Sequence, residues 1–440
     1  MYTDTATLYQ HFLSAPHIST DTRTIVPGSI FFALKGANFN GNSFAAQALQ
    51  QGASFAVVDE DVAGSDARIL RVADVLQALQ ALARHHRREL GAKGLRVLAL
   101  TGSNGKTTTK ELLARVLARK FRTHYTRGNL NNHIGVPLTL LQLTGAHEFA
   151  VIEMGANHQG EIKQLCEIAE PDFGLITNIG LAHLEGFGGP EGVLKGKTEM
   201  FRYLESRQGK LFLLADEPRL SEYAQRMPAV TYGTIESAAI SGKLLAADPT
   251  LKFSWQAKSQ HETHEVQTHL AGAYNLPNLL AAVAAGLEFG IPATEINNAL
   301  AGYEPDNNRS QWVKRGNVQL LLDAYNANPS SMKAAIENFA LLQAATKTIV
   351  IGDMFELGDS SATAHQQIVD LMAQHMPHAT VLLVGEHFSL TTDSCGFHRM
   401  PTSVEAAAWM QKNMPQQGMI LIKGSRGMKM ERVSELFTAG

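Results

Sequence analysis

Along this 440-residue chain, short apolar runs alternate with stretches of helical period, and the alternation breaks near residues 92 and 310. In the first part, apolar runs at Ile30 to Leu34 and Phe55 to Val58 flank a helix-like stretch at Phe44 to Gln51, which predicts a small α/β unit. Val75 to Leu90 has helical period, and its charged end, ARHHRREL, is expected to be a solvated face. Gly91 to Gly94 interrupts the pattern and predicts a boundary. From Arg96 the run RVLAL enters a Gly-rich turn and then a helix carrying Leu112, Leu113, Val116 and Leu117 on one face. EFAVIEM, a helix over Gly160 to Ala169, and FGLITNI continue the series, as in a parallel sheet covered by helices. A second series follows near residue 310: VQLLLDA, a helix after Pro329, KTIVIGDM, a helix around Ala364 to Gln374, TVLLVGE, a helix around Val404 to Lys412, and GMILIKGS. Four strands with intervening helices predict a Rossmann-like domain. The expected fold is therefore α/β in three domains: 1–92, a central 93–309 and a C-terminal 310–440.

Composition narrows the class of partner. Hydrophobic residues make up 45% and charged ones 18%, values suited to a globular chain with sizeable cores. With 38 Lys+Arg against 41 Asp+Glu, the net charge of -3 offers no electrostatic footprint for nucleic acid or an anionic membrane. Small molecules are the expected partners. The two cysteines, Cys166 and Cys395, are too few for a disulfide framework. The N-terminal MYTDTATLYQ lacks a signal-peptide pattern, and the longest apolar stretch, about Leu279 to Leu287, falls short of the ~20 residues that span a bilayer. A cytoplasmic protein without membrane insertion is expected.

The sharpest chemical signal is TGSNGKTTTKE at 101–111, directly after the strand RVLAL. Gly102 and Gly105 allow a tight loop whose backbone N–H groups, with those of Ser103, Asn104 and Thr108, point at phosphate oxygens, and the next helix adds its N-terminal dipole. Lys106 is placed to neutralise β and γ phosphates and the Thr107 hydroxyl to ligate magnesium. The usual P-loop has a glycine five residues before Gly105; here that position is Leu100, so the loop is a shorter variant. Glu153, ending EFAVIEM, is suitably placed as the acidic partner of the metal. His183 follows FGLITNIG at the carboxyl edge of the sheet, where ligands of open α/β sheets bind, although a lone histidine is usually structural or solvent-exposed.

Together these residues resemble the Mur ligase superfamily over nearly the whole chain, most closely the branch that adds D-alanyl-D-alanine to UDP-N-acetylmuramoyl-tripeptide in cell-wall precursor synthesis. TGSNGKTTTKE is similar to the family's phosphate loop, EMGAN at 153–157 to its magnesium-binding strand end, and NIGLAHLEGFGG at 178–189 to its Asn-x-x-x-Ala-His-Leu-Glu signature. The resemblance implies that His183 is a magnesium or phosphate-site ligand. It also implies that Lys197, four residues before Phe201 in GKTEMF, is carbamylated and binds a second magnesium. AYNLPNLLAA at 273–282 resembles the adenine-contacting helix, with Asn275 as the contact and Tyr274 where histidine is usual. Arg309 and Asp323 match positions expected at the γ phosphate and the ribose. Asp323 opens DAYNANPSS, a telling signature, in which Asn326 and Asn328 are candidates for substrate contacts; as an Asn-Pro turn it also predicts a helix start.

GDMFELG at 352–358 and IKGSRGMKME at 422–431 extend the resemblance. Lys423, Ser425 and Arg426 offer donors for the carboxylate of the dipeptide, with interdomain packing as the alternative. At the other end, DTRTIVPGSIFFALKG resembles the UDP-binding domain, with Thr22 replacing the family's serine beside Arg23, and Asn42 standing where histidine is frequent. Asn131 and Asn132 in NLNNHIGVPLTLL are candidates for the precursor's sugar and phosphates, or else form an Asn-rich turn before a helix. The implied chemistry is ATP-driven amide formation through an acyl phosphate, with Lys106, Arg309, His183 and Lys197 as catalytic residues, ATP and magnesium as cofactors, and a monomeric enzyme. The alternatives are another ligase of the superfamily, such as a folylpolyglutamate synthase, and a P-loop ATPase that makes no bond.

Overall fold

A computed structural model describes residues 2–62, 66–260, 262–305 and 309–437. Among these residues the strands form three principal sheets. The first is parallel, in the order Ile18–Ser19, Ile30–Phe32, Phe55–Val58, Ile69–Arg71. Successive side chains of its strands point to opposite faces. Thus Phe31, Ala56 and Val58 pack under the helix Ala45–Gln50, while Ile30, Phe32 and Val57 pack under Thr5–Ser14 and Val75–Gly91.

The central sheet has nine strands, in the order Thr263–Gln267, Lys252–Ala257, Ile240–Ala246, Ala229–Gly233, Lys210–Leu214, Phe173–Ile176, Arg96–Thr101, Phe149–Glu153, Thr123–Tyr125. From Thr123–Tyr125 to Ile240–Ala246 they run parallel, and the last two add antiparallel. Leu98 and Leu100 meet the helices Lys106–Leu117 and Leu276–Glu288 on one face; Val97 and Ala99 meet Glu161–Ala169 on the other. The third sheet runs Gln311–Arg315, Val318–Asp323, Gly418–Lys423, Lys347–Gly352, Thr380–Val384, His398–Met400, parallel except for its first strand. Helices Pro329–Leu341 and Ser361–His375 cover one face, and Ser403–Lys412 and Glu431–Glu435 the other. No described helix is long and apolar enough to cross a membrane.

Three expectations need correction. The third sheet has six strands rather than four, because the edge strands QWVKR and HRM are only half-buried and carry no apolar run. The central sheet likewise extends through strands beyond FGLITNI. Finally, ARHHRREL is not a solvated face throughout: His86 and Arg87 are buried. The helix Val75–Gly91, started by Asp74 accepting from the Gln77 N–H at 2.8 Å, lies in a core that continues from the first sheet into the central one.

Arg87 fastens this helix to the central domain. Its guanidinium donates to the carbonyls of Ala169 at 3.2 Å and Glu170 at 2.9 Å and to the Asp172 carboxylate at 2.9 Å. Arg87→Ala strands those acceptors at a buried seam and is expected to cost about 1–3 kcal/mol in urea unfolding, tempered by the partial exposure of Asp172. A loss under about 0.5 kcal/mol, the scale of ordinary surface changes, would contradict this fastening role.

Candidate active site

The carboxyl ends of the central strands, the phosphate loop and the edge of the third domain enclose a cavity of about 610 Å³. Its floor is the loop after Arg96–Thr101. Gly102 has φ 143° and Gly105 φ 77°, both in the region that glycine enters most easily. Neither tolerates a side chain in place: a Cβ on Gly102 would lie 2.0 Å from Thr177 Oγ1, and one on Gly105 2.7 Å from Asn278 Oδ1. Neighbouring segments clamp the loop. The Asn104 N–H donates to Asn178 Oδ1 at 3.0 Å, Thr177 Oγ1 donates to the Asn104 carbonyl at 2.6 Å, and Ser103 Oγ donates to the Gly180 carbonyl at 3.0 Å.

Lys106 folds back on its own loop, donating to the carbonyls of Gly102 at 2.8 Å and Ser103 at 3.2 Å. Although its surface meets the cavity, the surrounding protein excludes solvent and holds its pKa below the ordinary lysine range; Glu153 opposes that shift and Arg309 adds to it. Thr107 Oγ1 donates to Glu153 Oε2 at 3.0 Å and Asn131 Nδ2 to Glu153 Oε1 at 2.9 Å. Thr108 and Asn132 also reach the cavity wall. Asn132 has a local task as well, since its Oδ1 accepts from the N–H groups of Ile134 and Gly135 ahead of the helix Gly135–Leu140.

His183 stands at the wall with Nδ1 against the carboxylate of Glu356 from the third domain, and that bond lowers the Glu356 pKa. Lys197 is 1% exposed and lies behind the wall, donating to the Ala156 carbonyl at 3.3 Å with its ammonium 4.9 Å from the Phe187 ring centre. Burial, with Lys106 adding like charge, pushes its pKa far below the usual lysine value; Glu161 and Glu199 oppose the shift. Among the described residues no three His, Cys, Asp or Glu side chains form a metal cage. The hydroxyl of Thr107 and the carboxylate of Glu153 face each other, donors of the kind that suit a hard divalent cation.

The third domain completes the wall, and Arg309, one residue ahead of the expected boundary at 310, packs with it, beside the strand Gln311–Arg315. Arg309 lies 3.6 Å from the Tyr325 ring centre, and its buried Nε has no hydrogen-bond partner among the described residues. Asp323 pairs with Lys423 Nζ at 2.5 Å, and the same ammonium donates to the Asn326 carbonyl at 3.3 Å. Asn328 caps the helix Pro329–Leu341 by accepting from the Ser331 N–H at 2.9 Å, and its Nδ2 donates to Asn104 Oδ1 at 2.7 Å across the domain seam. The helix start expected of this segment is therefore present, and Asn326 and Asn328 both border the cavity.

Several expected donors have other work. Lys423 is 2% exposed and neutralises Asp323. Ser425 Oγ accepts from the Phe355 N–H at 3.0 Å, and Arg426 is exposed near Tyr325; neither borders the cavity. Thr22 and Arg23 lie in the N-terminal domain, outside the cavity. The Arg23 guanidinium there grips Asp21 at 2.6 Å and brings that carboxyl to about 2. Asn275 reaches the wall with its amide committed, donating to the Ala271 carbonyl at 2.7 Å and accepting from Asn278 Nδ2 at 2.9 Å. Asn278, one turn on, also accepts from Thr109 Oγ1 at 3.0 Å; its i,i+3 spacing from Asn275 was the signal for it. Tyr274 joins the wall too, its hydroxyl 3.0 Å from Ser310 Oγ, and burial raises its pKa. Lys110, 3.8 Å from Glu153 Oε2, was signalled by lying one turn beyond Lys106.

Comparison with known proteins matches this architecture domain by domain. The family models described as Mur ligase family, catalytic domain, as Mur ligase middle domain, and as Mur ligase, glutamate ligase domain match residues 15–87, 100–286 and 308–426. The UDP-N-acetylmuramoyl-tripeptide–D-alanyl-D-alanine ligase of Bacillus subtilis is 34% identical, covering 94% of this chain and 92% of that protein. The ligase of the same name from Escherichia coli is 36% identical, with the same coverage. A crystal structure of MurF from Acinetobacter baumannii superposes with a TM-score of 0.84 at 33% identity, over 96% of this chain and 93% of that one. That of MurF ligase from Thermotoga maritima in complex with ADP gives 0.86 at 27% identity, over 97% of each. A folylpolyglutamate synthase from Thermotoga maritima, at 12% identity and a TM-score of 0.59 over 83% of this chain and 96% of that one, shares the fold alone. The chain belongs to the Mur ligase family.

Proposed function

We propose that this protein joins D-alanyl-D-alanine to UDP-N-acetylmuramoyl-tripeptide with ATP, making a cell-wall precursor. One observation carries the reaction class: Lys106 and Thr107 of the phosphate loop share a cavity with Arg309 and Asp323 of the third domain, so the nucleotide site is divided between two domains. The acid and amine are those named for relatives 34% and 36% identical over 94% of the chain. Two free cysteines fit a cytoplasmic setting, and we take the enzyme to act as a monomer.

A carboxylate and an amine do not condense unaided in water. In the first step an oxygen of the tripeptide's terminal carboxylate attacks the γ phosphorus of ATP, the bond to the β-γ bridging oxygen breaks, and ADP departs. Lys106 and Arg309 neutralise the charge that spreads over the transferring group. The amine of D-alanyl-D-alanine then attacks the acyl carbon, the carbon–oxygen bond to phosphate breaks, the nitrogen loses a proton and inorganic phosphate leaves. No protein nucleophile is needed. Divalent cations, when bound, supply further charge neutralisation, and Thr107, Glu153, His183 and carbamylated Lys197 would hold them, the carbamate serving the second. The depressed Lys197 pKa supports the carbamate: a neutral amine is the form that adds to carbon dioxide, losing a proton to become an anion. Asn131, Asn132, Asn326 and Asn328 would orient the precursor at the cavity mouth, with Asn275 toward the nucleobase. Thr22 and Arg23 would serve the UDP end.

With ATP and magnesium, ADP beyond a single equivalent of enzyme is expected only when acid and amine are both present, and oxygen-18 in the tripeptide carboxylate should pass into inorganic phosphate. ADP release beyond that equivalent without either substrate, or label retained wholly in the peptide, would overturn this reading. Lys197→Ala is expected to lower turnover by ~100-fold or more, about 2.7 kcal/mol of barrier, with partial recovery on adding formate or acetate. Absence of recovery in a normally folded variant counts against the carbamate. Gly102→Ala, by forcing a methyl onto Thr177, is expected to weaken ATP binding at least about tenfold, or 1.4 kcal/mol, in a calorimetric titration. Unchanged affinity would show that the loop does not approach the phosphates as drawn.

A further inference from the structure

The loop that carries Glu356 is held at successive residues. The Asp353 carboxylate, 2% exposed, accepts from the N–H groups of His387 at 3.0 Å and Phe388 at 2.9 Å. The Met354 N–H donates to His365 Nε2 at 3.0 Å, and His365 Nδ1 donates to the Ser361 carbonyl at 2.7 Å, which fixes the proton of that buried imidazole on Nδ1. The Phe355 N–H donates to Ser425 Oγ at 3.0 Å. With these residues pinned, Glu356 turns into the left-handed region at φ 62° and meets His183 Nδ1.

His183 has an unfavourable backbone conformation of its own, φ 52°, at the start of the short helix Leu184–Phe187. Non-glycine residues are strained in this region, and they persist where the surrounding structure enforces them. Here two such residues from different domains touch through their side chains. Their loops abut as well, since a Cβ on Gly358 would lie 3.5 Å from Glu185 Cβ. The same seam carries the bonds Asn328–Asn104 at 2.7 Å and Leu181 N–H to Ser330 Oγ at 3.1 Å.

A carboxylate that accepts Nδ1–H leaves Nε2 as the nitrogen with a free lone pair and restrains rotation of the ring. We propose that Glu356 is a positioning residue for His183: a carboxylate from the third domain sets the tautomer and aim of an imidazole in the central domain. This rests on the reading of His183 as a ligand of the divalent cation. It makes the cation site whole only when the third domain is seated, and by reciprocity cation binding draws that domain in.

Manganese titrated into the full chain with ADP, followed by its paramagnetic resonance, tests this. Glu356→Ala is expected to weaken manganese binding by ~10–100-fold, whereas Glu356→Gln, whose amide oxygen still accepts Nδ1–H, should stay within about threefold of the parent. ADP affinity measured without divalent cation should be unchanged in both. A comparable loss of that affinity would overturn the proposal, since a merely structural role gives that result, and so would a glutamine variant as weak as the alanine one. If Glu356→Ala binds manganese normally while His183→Ala does not, the positioning role alone is wrong. If His183→Ala also binds it normally, the ligand role of His183 falls and the proposal with it.

Discussion

A single carboxylate, that of Glu153, organises the site. At 2% exposure, on the last residue of Phe149–Glu153, it has to be paired where it lies, because an unpaired buried charge costs several kcal/mol. Its partners come from separate segments: the hydroxyl of Thr107 on the phosphate loop, the amide of Asn131 on the Asn-rich loop, and Lys110 one helical turn farther in. Its own N–H donates to Thr126 Oγ1 at 3.0 Å. Satisfying one charge therefore fixes the relation of loop, helix and strand end before any ligand arrives.

Close approach is the second condition. The loop lies so near Thr177 and Asn278 that Gly102 and Gly105 have no room for a Cβ. Those neighbours stand at two other edges of the central domain, beside Asn178 and Asn275 respectively. The cradle is thus built by convergence of strand ends and one helix N-terminus, with backbone groups as the lining. The loop is fixed before a phosphate arrives, but the Ser103 and Asn104 N–H groups, expected to point at phosphate oxygens, are spent on the Asn178 carbonyl and side chain at 3.0 Å each, which leaves the N-terminus of the helix Lys106–Leu117 to meet a transferring phosphoryl group.

How much of this was legible in the sequence depended on whether the chemistry lay on contiguous residues. The phosphate loop, the strand ending at Glu153, the Asn-Pro helix start at Asn328 and the alternation of the central parallel strands are local patterns, and they stand where the pattern put them. Edge strands such as Gln311–Arg315 and His398–Met400 were invisible because half-buried strands need no run of apolar residues. The burial of His86 and Arg87 was equally hidden: a charged helix end looks the same whether it meets water or the carbonyls of Ala169 and Glu170. Pairings between distant segments were out of reach for the same reason. Lys423 could be read as a donor for a carboxylate, but that the carboxylate beside it is Asp323 follows only from strand register, which sets the two opposite each other.

The Lys423–Asp323 pair also bears on how the two halves of the cavity work together. A buried lysine beside the expected ribose contact holds Asp323 in a fixed, acceptor-rich state on the third domain, while Arg309 is stacked on Tyr325 with a buried Nε still to be satisfied. The third domain thus presents one satisfied carboxylate and one cation with unmet hydrogen-bonding capacity, and both face a cradle fixed independently by Glu153. A ligand that spans both halves, anionic at the loop and at Arg309, lowers the free energy of the assembled cavity in a way that neither half can alone. In the proposed reaction, a nucleotide site divided across this seam would tie phosphoryl transfer to closure, and closure in turn would keep water from the acyl phosphate that transfer creates.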